Sequence, residues 1–233
     1  MNILVINGSP NGENSATLKL TRAFLEGMDE KAETVSTAEL NARPCRACYA
    51  CWTKTGGKCV LRDGASEVLE KLRAAELVIW SVPLYCYSAP SHCKALMDRT
   101  LCFNRPQVYV GADGRAHHCG YEDGSKTTVL ISSGGLPDVA GNFDGLVFQF
   151  RHMFGPDTAA ILCAEAGLFL NPSAAPLTEA YLAHVRQAGR EYRAGGRIAP
   201  DTQAALDRPM LPRETYIENL NRVFSCGPCG QEG

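Results

Sequence analysis

The sequence predicts an α/β fold, a doubly wound parallel sheet of five strands with helices on both faces. Three observations carry that expectation. Short apolar runs alternate along the chain with segments whose apolar residues recur at helical spacing, the pattern of a sheet covered on both sides. The first run, Ile3-Leu4-Val5-Ile6, breaks into Asn7-Gly8-Ser9-Pro10-Asn11-Gly12-Glu13-Asn14-Ser15-Ala16-Thr17, a strand running through a turn of small polar residues into a helix. Three turns, Gly8 to Ser15, Pro83 to Ser88 and Ser132 to Pro137, share this small, polar or aromatic character. In an open parallel sheet such turns meet beyond the carboxyl ends of the strands, where ligands bind.

The elements follow in order. Thr17 to Met28 sets Leu18, Leu20, Phe24, Leu25 and Met28 at helical spacing. Val35 to Leu40 reads as an edge strand, and a cysteine-rich loop runs from Asn41 to Arg62. Asp63 is a suitable N-cap for a helix through Ala74, with Val68, Leu69 and Leu72 facing inward. Leu77 to Val82 is the clearest buried strand and ends on Pro83. A helix over Ser91 to Leu101 follows, and then an inserted hairpin from Gln107 to Cys119, turning at Asp113-Gly114.

Lys126 to Ile131 is another central strand, followed by a helix over Phe143 to Phe154 and a strand over Ala159 to Cys163. The helices Pro176 to Ala194 and Glu214 to Phe224 are joined by a Pro-containing linker. Residues 1–198 are expected to form the sheet domain, and residues 199–233 a helical C-terminal arm and tail. Five strands with a phosphate-type turn after the first suit the flavodoxin-like strand order.

Composition excludes several classes. The 23 basic and 25 acidic residues give a formal charge of −2, with no basic stripe for nucleic acid. No apolar run approaches the roughly 18 residues that cross a bilayer. The chain opens on a core strand without a secretory signal, so a cytoplasmic location is expected. Eleven cysteines in a reducing compartment favour metal, cluster or redox roles over a disulfide framework. Cys86, Cys93, Cys102 and Cys163 fall in apolar periodic segments and read as small buried hydrophobes.

The first turn points backbone N–H groups and the positive end of a helix dipole at one spot, an anion site. It lacks Gly-x-x-x-x-Gly-Lys-Ser/Thr, and Gly8 and Gly12 do not follow the Gly-x-Gly-x-x-Gly spacing of dinucleotide sites. Flavin mononucleotide, FMN, fits better. Its phosphate monoester can be held by hydroxyls and N–H groups without Lys or Arg, and Ser9, Asn14, Ser15 and Thr17 supply side chains. An ordinary helix cap is the plainer alternative.

Four stretches, in this order, carry a family resemblance: Gly8-Ser9-Pro10 with Asn14-Ser15; the Cys45 to Cys59 loop; Pro83-Leu84-Tyr85 followed by Lys94 and Asp98-Arg99; and Ser132-Ser133-Gly134-Gly135. Over roughly its first 165 residues the chain resembles NAD(P)H-dependent FMN reductases, iron–sulfur flavoproteins and multimeric flavodoxin-like quinone reductases. The resemblance implies that Ser9, Asn11, Asn14 and Ser15 bind the FMN phosphate. It implies that Pro83, Leu84, Tyr85, Cys86 and Tyr87 line the isoalloxazine ring, and that Ser133, Gly134 and Gly135 close its other edge. Asn11 stands where the family often has Arg, which shifts phosphate binding toward the helix N-terminus.

Cys45, Cys48, Cys51 and Cys59 form a C-x2-C-x2-C-x7-C run, compact enough to wrap one corner of a cubane. Iron–sulfur flavoproteins carry such a run in this place, which implies a [4Fe–4S] cluster. Bare thiols, a reversible disulfide and, less naturally, zinc are the alternatives. Cys226-Gly227-Pro228-Cys229 has the frame of a redox dithiol but follows a helix instead of opening one, and reads as a tail. His117, His118 and Asp113 read as solvated hairpin residues, and His92 and His152 are given no role.

The leading expectation is an FMN-dependent enzyme passing hydride from NAD(P)H to bound FMN, and electrons on to a quinone, flavin, azo or nitro acceptor. No side-chain catalyst is needed, because the cofactor supplies the chemistry. The alternative is an electron carrier in which the cluster and FMN exchange electrons with a ferredoxin-like partner. A binding module without turnover is a third. The resemblance also implies a homodimer or homotetramer.

Overall fold

The structure, a computed structural model, describes residues 1–121 and 126–223; Cys226-Gly227-Pro228-Cys229 lies outside them. β1 (Ile3–Asn7), β2 (Glu33–Ser36), β3 (Leu77–Pro83), β6 (Thr127–Ser133) and β7 (Ala159–Cys163) form one parallel sheet in the order β2-β1-β3-β6-β7. Between β3 and β6, β4 (Asn104–Val110) and β5 (Ala116–Gly120) pair as a separate antiparallel hairpin. This is the expected flavodoxin-like order. The crevice lies where connections leave β1 and β3 in opposite directions.

Alternation along the strands assigns each face. Ile3, Val5, Leu77, Ile79, Val129, Ile131 and Ile161 pack under α1 (Ala16–Met28) and α6 (Ala175–Gly195). Leu4, Ile6, Val78, Trp80, Val82 and Leu130 pack under α3 (Ala65–Ala74), α4 (Ser91–Arg99) and α5 (Asp144–Phe154). The α1–α6 contact is backbone on backbone. A Cβ at Gly27 would stand 2.0 Å from the Arg186 carbonyl oxygen, and one at Gly189 would stand 2.1 Å from that of Phe24. Only glycine permits that approach.

Several boundaries differ from the sequence expectation. The edge strand is Glu33–Ser36 rather than Val35 to Leu40, because β1 supplies pairing partners only from Leu4 to Asn7. The helix from Ser91 ends at Arg99 and tightens into a 3₁₀ turn, Thr100–Phe103. The cysteine loop contains a short helix, α2 (Ala50–Thr53). The linker before the last helix, α8 (Arg213–Val223), holds α7 (Pro200–Leu206). Pro200 opens α7 at a first-turn position, where a missing N–H costs nothing. The Glu191 carboxylate accepts from the Ala199 N–H at 2.8 Å and from the Thr202 hydroxyl at 2.7 Å, tying α7 to α6.

Candidate functional site

The first turn is a nest of local hydrogen bonds. Asn7, 2 % exposed at the end of β1, accepts the Ser9 N–H on its side-chain oxygen at 3.0 Å. Ser9 Oγ accepts the Asn11 N–H at 3.3 Å, and the Gly8 N–H donates to the Ser81 carbonyl at 2.8 Å. Ser15 Oγ caps α1 by accepting the Leu18 N–H at 3.2 Å. The Lys19 N–H donates to the Ser15 carbonyl, which leaves the Ala16 and Thr17 N–H groups facing out of the helix end. Ser9 and Ser15 are buried, while Asn11 and Asn14 stand exposed at the rim. Each serine hydroxyl accepts one N–H and keeps its proton free to donate to an anion.

Thr17 is not available to a phosphate. Its hydroxyl is 1 % exposed and shares a 2.5 Å hydrogen bond with Ser133 Oγ, which joins the first turn to the third. His92, given no role from sequence, places Nε2 3.0 Å from the Gly8 carbonyl oxygen and so braces the first turn from α4.

The second turn departs from β3 at the buried Pro83. Leu84 N–H donates to the Ser133 carbonyl, and Tyr85 and Ser88 exchange N–H to carbonyl bonds at 2.9 and 3.0 Å. Between them Cys86 and Tyr87 have φ of +47° and +62°. Both central residues are therefore left-handed, a conformation that hairpin turns normally give to Asn or Gly. Cys86 is exposed, contrary to the buried reading, because this turn projects it outward. Cys93, Cys102 and Cys163 are buried as expected, and burial pushes their thiols up to about 12, 11 and 12 respectively.

Between the second and third turns lies an open cleft of about 270 Å³. Leu84, Cys86 and Tyr87 form one wall, Gly134, Gly135 and Leu136 the other, with Phe143 beside them. A Cβ at Gly134 would stand 3.0 Å from Phe143 Cζ, so the slot stays flat only with glycine there. Pro83, Tyr85 and Ser133 frame the cleft without lining it. A flat ring between backbone walls, with an anion cradle at the adjoining strand end, is the shape FMN requires.

The cysteine loop forms a second feature. Cys45, Cys48, Cys51 and Cys59 all border one small cavity of about 20 Å³, together with Cys102 and Arg99. Ala47 and Tyr49, at φ of +48° and +51°, coil the chain between the first three. The Arg99 side chain is fully buried. Its Nη1 donates to Asp63 Oδ2 at 2.8 Å and to the Arg43 carbonyl at 3.2 Å, and Nη2 donates to the Leu61 carbonyl at 3.3 Å. Among the described residues Nε has no hydrogen-bond partner, while Cys59 lies close enough to interact with the guanidinium.

Burial raises the Asp63 carboxyl, but hydrogen bonds from Arg99, Arg43 and Ala65 outweigh it and hold the group below the ordinary aspartate range. Burial also pushes the Cys51 thiol up. Trp52 covers the loop and packs on His118 of the hairpin, with ring centroids 5.2 Å apart. Among the described residues no group of three or more His, Cys, Asp or Glu stands arranged to hold a metal ion, and the thiol-lined cavity as it stands has room for about one water.

Sequence alone gives Arg99 no role, and its buried pairing with Asp63 is seen only in the structure. The hairpin residues stay on the surface: His117 Nε2 lies 2.9 Å from Asp113 Oδ1, with both side chains well exposed.

Strand order, crevice and flat cleft define the class, and the profile of a family described as a flavodoxin-like fold matches residues 1–156. The chain belongs to that family. Within it, an iron–sulfur flavoprotein of Methanosarcina thermophila is 37 % identical over 109 residues, covering 45 % of this chain and 55 % of the relative. The chain thus spans about half the length of that relative. An FMN-dependent NADH:quinone oxidoreductase of Pseudoalteromonas atlantica is 26 % identical over 145 residues, covering 58 % of this chain and 70 % of the relative. An FMN-dependent NADH-azoreductase of Bacillus anthracis, solved with FMN, superposes with a TM-score of 0.57 at 19 % identity, covering 83 % of this chain and 98 % of the other. That last likeness is one of fold.

Proposed function

We propose that this chain is an FMN-dependent oxidoreductase that oxidises NADH or NADPH and reduces a quinone, free flavin, azo or nitro compound. The carrying observation is the meeting of the three turns: a hydroxyl-lined helix N-terminus at one end and a flat, glycine-walled cleft at the other. Ser9, Asn11, Asn14 and Ser15 hold the phosphate, with the Ala16 and Thr17 N–H groups adding the helix-end field. Leu84, Cys86 and Tyr87 form one wall for the ring; Gly134 and Gly135 form the other. When bound, FMN supplies hydride acceptance and electron delivery. The protein binds and orients, and the open side of the cleft admits the second reactant. A cytoplasmic homodimer or homotetramer, with flavins near subunit contacts, accords with this reading; no described helix is long and apolar enough to cross a membrane.

A second reading is favoured by one observation, the four loop cysteines gathered on a single cavity beside a buried arginine. In it Cys45, Cys48, Cys51 and Cys59 hold a [4Fe–4S] cluster, and the protein exchanges electrons with a ferredoxin-like partner.

One experiment tests both. Protein reconstituted anaerobically with iron and sulfide is titrated with FMN, while absorbance, flavin fluorescence and melting temperature are followed. Quenched fluorescence, a raised Tm and rapid NAD(P)H oxidation with a quinone are expected. Failure of quenching and of the Tm rise sinks the FMN reading. Broad absorbance that bleaches with dithionite supports the carrier, and its absence removes it.

A further inference from the structure

The third turn is held from behind by residues beyond the family match. The Ala166 N–H donates to the Gly134 carbonyl at 2.9 Å, the Tyr216 hydroxyl to the Gly135 carbonyl at 2.9 Å, and the Glu165 N–H to the Leu136 carbonyl at 3.1 Å. Three successive carbonyls are therefore drawn toward one side. Among the described residues every peptide bond is trans, so the N–H of each peptide points opposite to the carbonyl it is bonded to. The Gly135 N–H accordingly faces away from Ala166 and the Leu136 N–H away from Tyr216, and among the described residues neither has a partner. Gly135 and Leu136 line the cleft; Tyr216 does not.

Tyr216 is itself fixed. It is 3 % exposed, in a small cluster with Leu168 and Ala174 against which Met210, Leu211 and Leu220 pack. Arg213 Nε donates to Asp138 at 3.1 Å, and the Glu165 carboxylate accepts the Met210 N–H at 2.6 Å and the Leu211 N–H at 3.3 Å. Gly167 leaves room for the hydroxyl, since a Cβ there would stand 3.2 Å from it.

We propose that Tyr216, carried on the C-terminal arm, is a positioning residue for the flavin: by holding the Gly135 carbonyl it turns the Leu136 N–H into the cleft, beside the Gly135 N–H that the Ala166 bond to the Gly134 carbonyl sets, as a donor for the electron-rich edge of the ring. This rests on the FMN reading above. Fixed donors placed where negative charge develops on reduction stabilise the reduced form, and so raise the flavin midpoint potential.

The test is Tyr216→Phe in the full chain, which keeps the ring and removes one hydroxyl, compared with Leu220→Ala, which loosens the arm without touching that hydrogen bond. Tyr216→Phe is expected to weaken FMN binding about five-fold, the scale of one lost neutral hydrogen bond, and riboflavin by the same factor. Its midpoint potential should fall. Leu220→Ala should lower Tm and leave the potential at the wild-type value. An unchanged potential and affinity in Tyr216→Phe overturns the proposal, as does an equal potential shift in Leu220→Ala. Wild-type protein that binds no FMN fails the cofactor reading instead, a result visible before either variant is made.

Discussion

The ligand cleft and the cysteine cavity belong to the same domain and are held by opposite means. In the cleft the shaping groups are main chain: turn N–H groups and carbonyls bonded to neighbouring strand ends, glycines where a Cβ would intrude, and two left-handed residues at 86 and 87. In the cavity they are side chains, four thiols on one small cavity that Arg99, paired with Asp63, also borders. A site made of backbone inherits its precision from the sheet. A site made of side chains depends on the buried groups beside them, and here those include one ion pair that holds the Arg43 and Leu61 carbonyls.

The sharpest way to break this contrast is Arg99→Met. Removing one member of a buried pair costs about 3–5 kcal/mol, read as a lowered denaturation midpoint. Cys45, Cys48, Cys51 and Cys59 should then alkylate faster as a group. FMN affinity should change no more than about two-fold, as for sites without shared partners. A comparable loss of flavin binding would show that the two regions are one unit.

The reverse perturbation is Gly134→Val. Its Cβ begins 3.0 Å from the buried ring of Phe143, and the added methyls enter the slot. Overpacking of this kind costs about 1–3 kcal/mol, and FMN affinity should fall about ten-fold or more because the ring loses its wall. Alkylation of the loop cysteines should be untouched. Normal FMN binding by this variant would mean the ring lies elsewhere.

The two regions also differed in how far the sequence disclosed them. Strand order and the three turns were legible because they rest on local signals: apolar runs of strand length, small residues at strand ends, Ser15 as a helix cap. The cysteine spacing was legible as spacing alone. That the thiols share a cavity bordered by Arg99 is a tertiary fact, and Arg99's partner Asp63 lies 36 residues away in sequence. Thr17 was misread for the same reason, since its partner Ser133 lies 116 residues away. His92 and Tyr216 act on carbonyls of distant turns, and no pattern along the chain marks such a contact. α7 did carry a local signal, Pro200 at a helix start, but its seven residues are too few for a period to show.

The smallest expected effect is also the one that separates the regions by sign. Asp63, beside the cysteine cavity, has its carboxyl held low, so its contribution to stability is present above the ordinary aspartate range and is lost as pH falls through the lowered value. Glu165, behind the cleft, is the reverse. Burial raises its carboxyl, more than the Met210 and Leu211 N–H groups lower it. Its contribution is therefore fully present below the ordinary glutamate value of about 4.3, and is lost as pH rises through the elevated one. Glu165→Gln keeps an oxygen to accept the Met210 N–H and removes the titration. Melting temperature measured from about pH 4 to pH 7 should then decline less in the variant than in wild type on the rising-pH side. Asp63→Asn should flatten only the acid side. Parallel profiles for wild type and Glu165→Gln would mean that the carboxylate behind the cleft carries its charge at no cost to stability, against the burial that raises it.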